Sequence, residues 1–361
     1  INAFVAGGQA VYIHWGLIDA ASSANEVQGV IAHELGHVTG GHVPLGDRMA
    51  KGATGITILS LLLGAAAMAA GSADAGMGLM QMGQRAALGN FLAFSRAQEA
   101  TTDAAGVRYL SGAGISGRGM LDFFKKLQQQ EYRWGLKRGG EQSYVMSHPM
   151  SGERISTLTA DLQADPAWSK ATDPALEERF RRVQAKLRGY VADPKDTLRR
   201  YPETDTSVPA RYARAYAYHK SGYPQQAAAE AAALVKAEPH NPYFLELEGQ
   251  ILLESGKPKE AIAPLREATT LTGNQPLIAT TFGHALLALE DPALLPEAEK
   301  VLRQSVVRDR ENPFAWYQLG MVYERKGDSA RAALATAERS SMIGDMGRAL
   351  PAAQAAMAGV P

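Results

Sequence analysis

Cysteine is absent from the 361 residues, which excludes disulfide frameworks and thiolate metal sites and leaves histidine and carboxylate as candidate metal ligands. Net charge is absent too. Lys plus Arg and Asp plus Glu both number 37, so no global field draws in nucleic acid, and no nucleic-acid partner is expected. The chain opens on Ile1 with no basic stretch leading into a short apolar core, so no signal peptide is visible and the start reads as truncated or processed. Long apolar runs are nearly missing. The exception is Gly52 to Ala73, which carries no charge and contains Ile56, Ile58, Leu59 and Leu61 to Leu63. Its second half is nearly all alanine and glycine, which favours a buried or interfacial helical hairpin, with peripheral membrane contact through 52–73, over a transmembrane span.

What is present organises the chain into two domains. Near the start, Ala3-Phe4-Val5 and Val11-Tyr12-Ile13 flank Gly7-Gly8 and predict a β-hairpin, whose free edge suits strand addition by an extended peptide. Ser23 and Glu26 at capping-box spacing open a helix that runs through Val27, Val30, Ile31, Leu35 and Val38 to Gly40-Gly41. A further helix is expected over Asn90 to Leu110, closed by Gly112, and apolar helical spacing continues through Met120, Phe123, Phe124 and Leu127. The N-terminal domain is placed at 1–190. Prolines at 194, 202 and 209 predict a linker over 191–208.

Beyond the linker the chain repeats. Ala215, Gly249 and Gly283 are 34 residues apart, Gly222 and Gly256 likewise, and Gly320 and Gly327 carry the pattern on. Such a period predicts helical hairpins in which the first small residue lets paired helices approach and the second glycine turns the chain. Ala227, Ala261 and Ala332 occupy the matching close-contact position of the second helix. The fourth unit, with Trp316, Leu319, Gly320, Tyr323, Gly327 and Ala332, resembles the tetratricopeptide repeat most closely. The third carries an insertion around Glu290 to Pro296, which leaves its inter-helix turn open. The repeat domain is assigned to 209–345 and a tail to 346–361; the alternative is an alanine-rich helical bundle without register.

The chemistry is concentrated in the first helix. His33 and His37 are four residues apart and so share one helix face, where two imidazoles can hold one zinc ion. Glu34 falls among apolar neighbours, where an ionised carboxylate is costly unless it has work to do. As general base it would take a proton from an attacking water and pass it to a leaving amine. Glu99 and Asp103 repeat the four-residue spacing. Glu99 can serve as third ligand while Asp103 accepts a hydrogen bond from a ligating histidine. His42 competes for the third position, but the metzincin pattern needs its histidine at position 43, which is Val43. His42 is therefore assigned a supporting or structural role. Chance coincidence of two histidines and a glutamate on a solvated helix is the bland alternative.

Ala32-His33-Glu34-Leu35-Gly36-His37, Phe94-Ser95-Arg96 followed by Glu99 and Asp103, and Ser147-His148-Pro149 with Arg154 resemble three blocks of the HtpX and CAAX-prenyl-protease peptidase family. Asn2-Ala3-Phe4 and Gly16-Leu17 resemble that family's beginning. The resemblance implies a mainly α chain: a gluzincin-like α+β metalloprotease domain with a small sheet, followed by an α-solenoid of tetratricopeptide repeats. It implies one Zn2+ held by His33, His37 and Glu99, with Glu34 as base and Asp103 orienting. His148 takes the family's late histidine position, as a catalytic oxyanion partner or as a switch that blocks the water position; from the residues alone it reads equally as a loop histidine. Arg154 has two readings, pairing with a carboxylate near the site or lying on a helix surface. The resemblance further implies a periplasmic endopeptidase that degrades misfolded or misassembled protein in outer-membrane quality control, with clients or assembly machinery bound by the repeats. A chaperone or scaffold with a gated protease site is the alternative, and an integral membrane protease using 52–73 is a third.

Overall fold

The computed structural model describes residues 1–6, 9–69, 72–134, 148 and 150–359. The chain divides into two compact units, Ile1–Gln184 and Ala185–Pro361. In the first, β1 (Ala3–Ala6) and β2 (Ala10–Ile13) pair antiparallel with Phe4 opposite Tyr12. Their rings stack with centroids 5.1 Å apart, the kind of cross-strand aromatic pair that pins a register. Gly7 and Gly8, expected at the turn, lie outside the described residues.

Helices α1 (Trp15–Ala20) and α2 (Ala24–Thr39) follow. Ser23 Oγ accepts from the Glu26 amide at 3.2 Å, satisfying an orphan donor of the first turn of α2, and the Glu26 carboxylate accepts from the Ser22 amide at 2.7 Å, which holds the chain as it enters the helix. Lys126 pairs with the same carboxylate at 2.7 Å. α3 (His42–Ala69) and α4 (Ala73–Gly112) form a helical hairpin, then come α5 (Arg118–Trp134), α6 (Gly152–Ala164) and α7 (Pro174–Val191). α4 begins well before the expected Asn90: the stretch from Ala73 lacks proline, and its small residues, Gly76 and Gly83 among them, pack closely on α3, so tertiary contact outweighs the low helix propensity of glycine. The core of this unit joins Val30 on α2 to Met120, Phe123, Phe124 and Leu127 on α5 and to Leu158 and Leu162 on α6.

The uncharged stretch thus belongs to a hairpin rather than to an isolated span, and among the described residues no helix is long and apolar enough to cross a membrane. Small residues set the hairpin's close contact, with Gly83 against Ser60 and Gly64 against Met80. Its outward side leaves Ile58, Leu62 and Met82 exposed by 53%, 64% and 69%.

The second unit is helical throughout its described length. The stretch expected as a linker contains α8 (Pro194–Arg200), which packs on α9 (Val208–Lys220). The buried Arg214 explains this order: it donates to the carbonyls of Pro202 and Asp205 at 2.8 and 2.7 Å and to Glu230 at 2.7 Å, tying the proline-punctuated segment down. Helix pairs follow as α9 with α10 (Pro224–Ala237), α11 (Pro242–Glu254) with α12 (Pro258–Leu271), α13 (Pro276–Ala288) with α14 (Leu295–Arg308), and α15 (Pro313–Lys326) with α16 (Ser329–Met342). A Cβ on Gly249 or Gly283 would stand 2.4 or 2.6 Å from a leucine of the paired helix, while Gly222, Gly256 and Gly327 turn the chain at φ +75°, +78° and +75°. The insertion in the third pair forms a short 3-10 turn, Pro292–Leu294, and leaves both helices intact. The expected tail contains α17 (Met346–Ala358), which packs on α16.

Candidate metal centre

Two helices and one isolated residue build the site. On α2, His33 and His37 face inward together with Glu34, and all three are buried. α4 lies alongside and presents Glu99 and Asp103, also buried. The approach of these two helices depends on Gly36, where a Cβ would stand 2.8 Å from the Thr102 carbonyl oxygen, closer than any real Cβ contact. His148, whose neighbours Ser147 and Pro149 lie outside the described residues, is buried against the same cluster.

The distances among the donor atoms define one small volume. His33 Nε2 lies 3.2 Å from His37 Nε2 and 3.5 Å from Glu99 Oε2, and His37 Nε2 lies 3.3 Å from Glu99 Oε1. His148 Nδ1 is 3.3 Å from His33 Nε2 and 3.0 Å from Glu99 Oε1. Donors placed tetrahedrally around zinc at ordinary bond lengths stand about 3.3 Å from one another. The contacts His33–His37, His37–Glu99 and His33–His148 come close to that spacing, and the four donors of His33, His37, Glu99 and His148 all lie within 4.8 Å of one another. Facing imidazole lone pairs repel unless a proton or a cation lies between them, and a borderline-soft divalent ion suits this nitrogen and oxygen set.

The surrounding hydrogen bonds orient the donors. Asp103 Oδ1 lies 2.9 Å from His33 Nδ1, and since the carboxylate accepts, that nitrogen carries the proton and Nε2 is directed into the cluster. Arg154 bridges both carboxylates: Nε and Nη2 donate to Asp103 at 2.7 and 2.8 Å, and Nη1 pairs with Glu99 at 2.8 Å. Of the two readings open for Arg154, the structure favours the carboxylate partner. Glu34 Oε1 lies 3.7 Å from His148 Nε2, on the other side of that ring from Glu99.

Electrostatics follow from this packing. Burial alone would lower His33, but hydrogen bonds to Asp103 and Glu99 outweigh it and raise its pKa to about 9. Burial would raise Glu99, yet the hydrogen bonds from His148, His33 and His37 hold it far below the usual carboxylate range. Asp103 is lowered by His33 and Arg154 against the opposing effect of burial. His148 is lowered chiefly by burial.

Other contacts were not legible as functional in the sequence. The Phe124 ring meets His33 edge-on at 5.3 Å and lies under Arg154 at 5.7 Å, but an apolar residue at helical spacing reads only as core. Thr102, between Glu99 and Asp103, lies against Gly36 and reaches His42. His42 does not enter the donor cluster; its Nδ1 lies 3.0 Å from His37 Nδ1, the nitrogen turned away from it.

Comparison with known proteins agrees with this geometry. Residues 1–161 match the model of Peptidase family M48, and residues 212–276 and 280–341 match that of the tetratricopeptide repeat. Metalloprotease LoiP of Escherichia coli is 33% identical over 168 residues, covering 46% of this chain and 60% of that protein. Beta-barrel assembly-enhancing protease of Yersinia pestis is 23% identical over 359 residues, covering 97% of this chain and 71% of that protein. Its Escherichia coli counterpart is 23% identical over 353 residues with the same coverage. The chain thus pairs a family M48 metallopeptidase domain with tetratricopeptide repeats, and its buried histidine and carboxylate cluster suits the single zinc ion that such domains use.

Proposed function

From a metallopeptidase domain joined to tetratricopeptide repeats, we propose a periplasmic zinc endopeptidase that cuts misfolded or misassembled polypeptide during assembly of outer-membrane β-barrel proteins. The relatives named for β-barrel assembly support the setting, since they align along nearly the whole chain. The observation that carries the chemistry is the cluster of His33, His37 and Glu99 with donor spacings of 3.2 to 3.5 Å. Those three residues hold the ion in this reading. When bound, zinc supplies Lewis acidity to the scissile carbonyl and to the attacking water. Glu34, buried beside the cluster, takes the water's proton and returns it to the leaving amine. Asp103 keeps the proton of His33 on Nδ1, and Arg154 balances the charge of both carboxylates. The repeats bind client or assembly partner, and the exposed apolar side of the α3–α4 hairpin touches the membrane surface.

The test is Glu34→Gln. Zinc content should stay at the wild-type level while cleavage of an unfolded outer-membrane protein falls by about 10²–10⁴-fold, the usual weight of general acid–base catalysis. Undiminished proteolysis sinks the reading.

One observation favours a second reading. His148 Nδ1 sits within the donor cluster, 3.0 Å from Glu99, as a fourth donor that would compete with a water or substrate oxygen for a bound ion. A gated protease whose main work is chaperoning follows if His148 stays there until a client displaces it. Cleavage that rises in His148→Ala would support gating; cleavage that falls would support an oxyanion role.

A further inference from the structure

We infer that His42 is the positioning residue of His37: its Nδ1 accepts a hydrogen bond from the N–H at His37 Nδ1, fixing the tautomer that leaves His37 Nε2 free to hold the metal. The inference rests on the reading of His33, His37 and Glu99 as ligands. A histidine that binds a metal through one nitrogen almost always donates from the other, which fixes ring orientation and raises ligand basicity. His33 has Asp103 for this purpose, at 2.9 Å from Nδ1. For His37 the corresponding atom is His42 Nδ1, at 3.0 Å.

The proton assignment follows from what faces that atom. Two N–H groups cannot point at each other, so a proton on His37 Nδ1 requires the lone pair on His42 Nδ1. Thr102 Oγ1 lies 3.0 Å from the same nitrogen, and its hydroxyl is a second donor available to it. With His37 as the donor, the proton of His42 lies on Nε2, and the Thr102 hydroxyl is oriented to suit. That edge of the ring rests on Gly40, where an added Cβ would stand 2.4 Å from Nε2. The chain path makes the contact. α2 ends at Thr39 with Gly40 as its C-cap, Gly41 turns at φ +61°, and His42, the first residue of α3, folds back behind His37. His42 is thereby excluded as a ligand by geometry, since it meets the nitrogen of His37 that points away from Glu99. The two ligand histidines are unequally backed, one by a carboxylate and one by an imidazole.

The experiment measures zinc affinity of the full chain by competition with a chromophoric chelator, using Zn2+ alone as the probe. His42→Leu removes the acceptor and should weaken binding about 10–100-fold, the usual effect of losing such a partner. His42→Asn places an amide oxygen near the position of Nδ1 and should restore most of the affinity. His33→Ala is the control and should abolish tight binding. In the zinc-loaded wild type, 15N-resolved histidine spectra should show the proton of His37 on Nδ1, a readout that needs no variant to fold. Wild-type affinity in His42→Leu, an asparagine variant no better than the leucine one, or a proton found on Nε2 of His37 each overturns the inference. If wild type binds zinc no better than His33→Ala, the ligand reading itself fails, and the two failures are distinct.

Discussion

Arg154 shows how much charge the site concentrates. Its guanidinium spans Asp103 and Glu99, both buried, and removing it leaves two carboxylates without that compensation. Breaking a buried ion pair by deleting one partner costs about 3–5 kcal/mol. Arg154→Met should therefore destabilise the chelator-treated protein by about that amount in urea unfolding, and the zinc-loaded protein by less, because the ion then offsets Glu99. Equal losses with and without zinc would contradict this account. His33 yields a pH prediction at the same scale. Its folded pKa is raised to about 9, above the ordinary 6.5, so in the metal-free protein its contribution is complete below pH 6.5 and is lost as pH rises through 9. The midpoint of thermal unfolding after chelation should fall across that window. Zinc needs the unprotonated nitrogen, so the increment in midpoint on adding zinc should grow over the same interval.

Helix packing decides whether these side chains meet at all. Gly36 lets α2 lie against α4, and a methyl there would press to 2.8 Å on the Thr102 carbonyl oxygen. The backbone cannot yield as a flexible side chain would. Gly36→Ala should cost about 1–3 kcal/mol through overpacking and should also release zinc on dialysis, because the histidines move relative to Glu99. Retained stoichiometric zinc would show that α2 and α4 tolerate the shift. The α3–α4 hairpin offers a contrasting case. Leu62 and Met82 are mostly exposed, so changing both to Glu should alter stability by less than about 0.5 kcal/mol. Flotation with phospholipid vesicles should be lost in that variant if the hairpin's outward side touches a membrane surface, and unchanged if it does not.

The elements themselves were largely legible, because each rests on a local pattern. The Ser23 cap, the Gly40-Gly41 stop and the recurrence of Gly249 and Gly283 all appear in the structure at the positions the sequence indicates. Segments read through proline and charge alone were less legible. The stretch 191–208 looked like a linker, yet it contains α8, because its order comes from Arg214 further along the chain. Likewise α4 extends back to Ala73, since composition marks that stretch as rich in small residues but not the partner helix that makes it one arm of a hairpin.

For the whole molecule, the division into two compact units predicts separable activities. A chain ending at Val191 should still cut a generic unfolded protein when the catalytic reading holds, while losing the preference for a β-barrel client that the proposed function assigns to the repeats. Comparing cleavage rates on both substrates, with the full chain alongside, checks this; complete loss on the generic substrate would tie catalysis to the repeats. What the sequence determined by itself is whatever lies within a turn or a repeat of its own neighbours: His33 and His37 on one face, Glu99 and Asp103 on another, and the period of the helical pairs. Such relations depend only on the pitch of a helix and on residue size. The tertiary structure decided that those two faces meet, that Arg154 joins both carboxylates, that His148 lies within the donor cluster, and that His42 stands behind His37 rather than beside it. All but the last are contacts across long stretches of chain, set by close packing at places such as Gly36; the last is made by the turn at Gly41, and no local period records any of them.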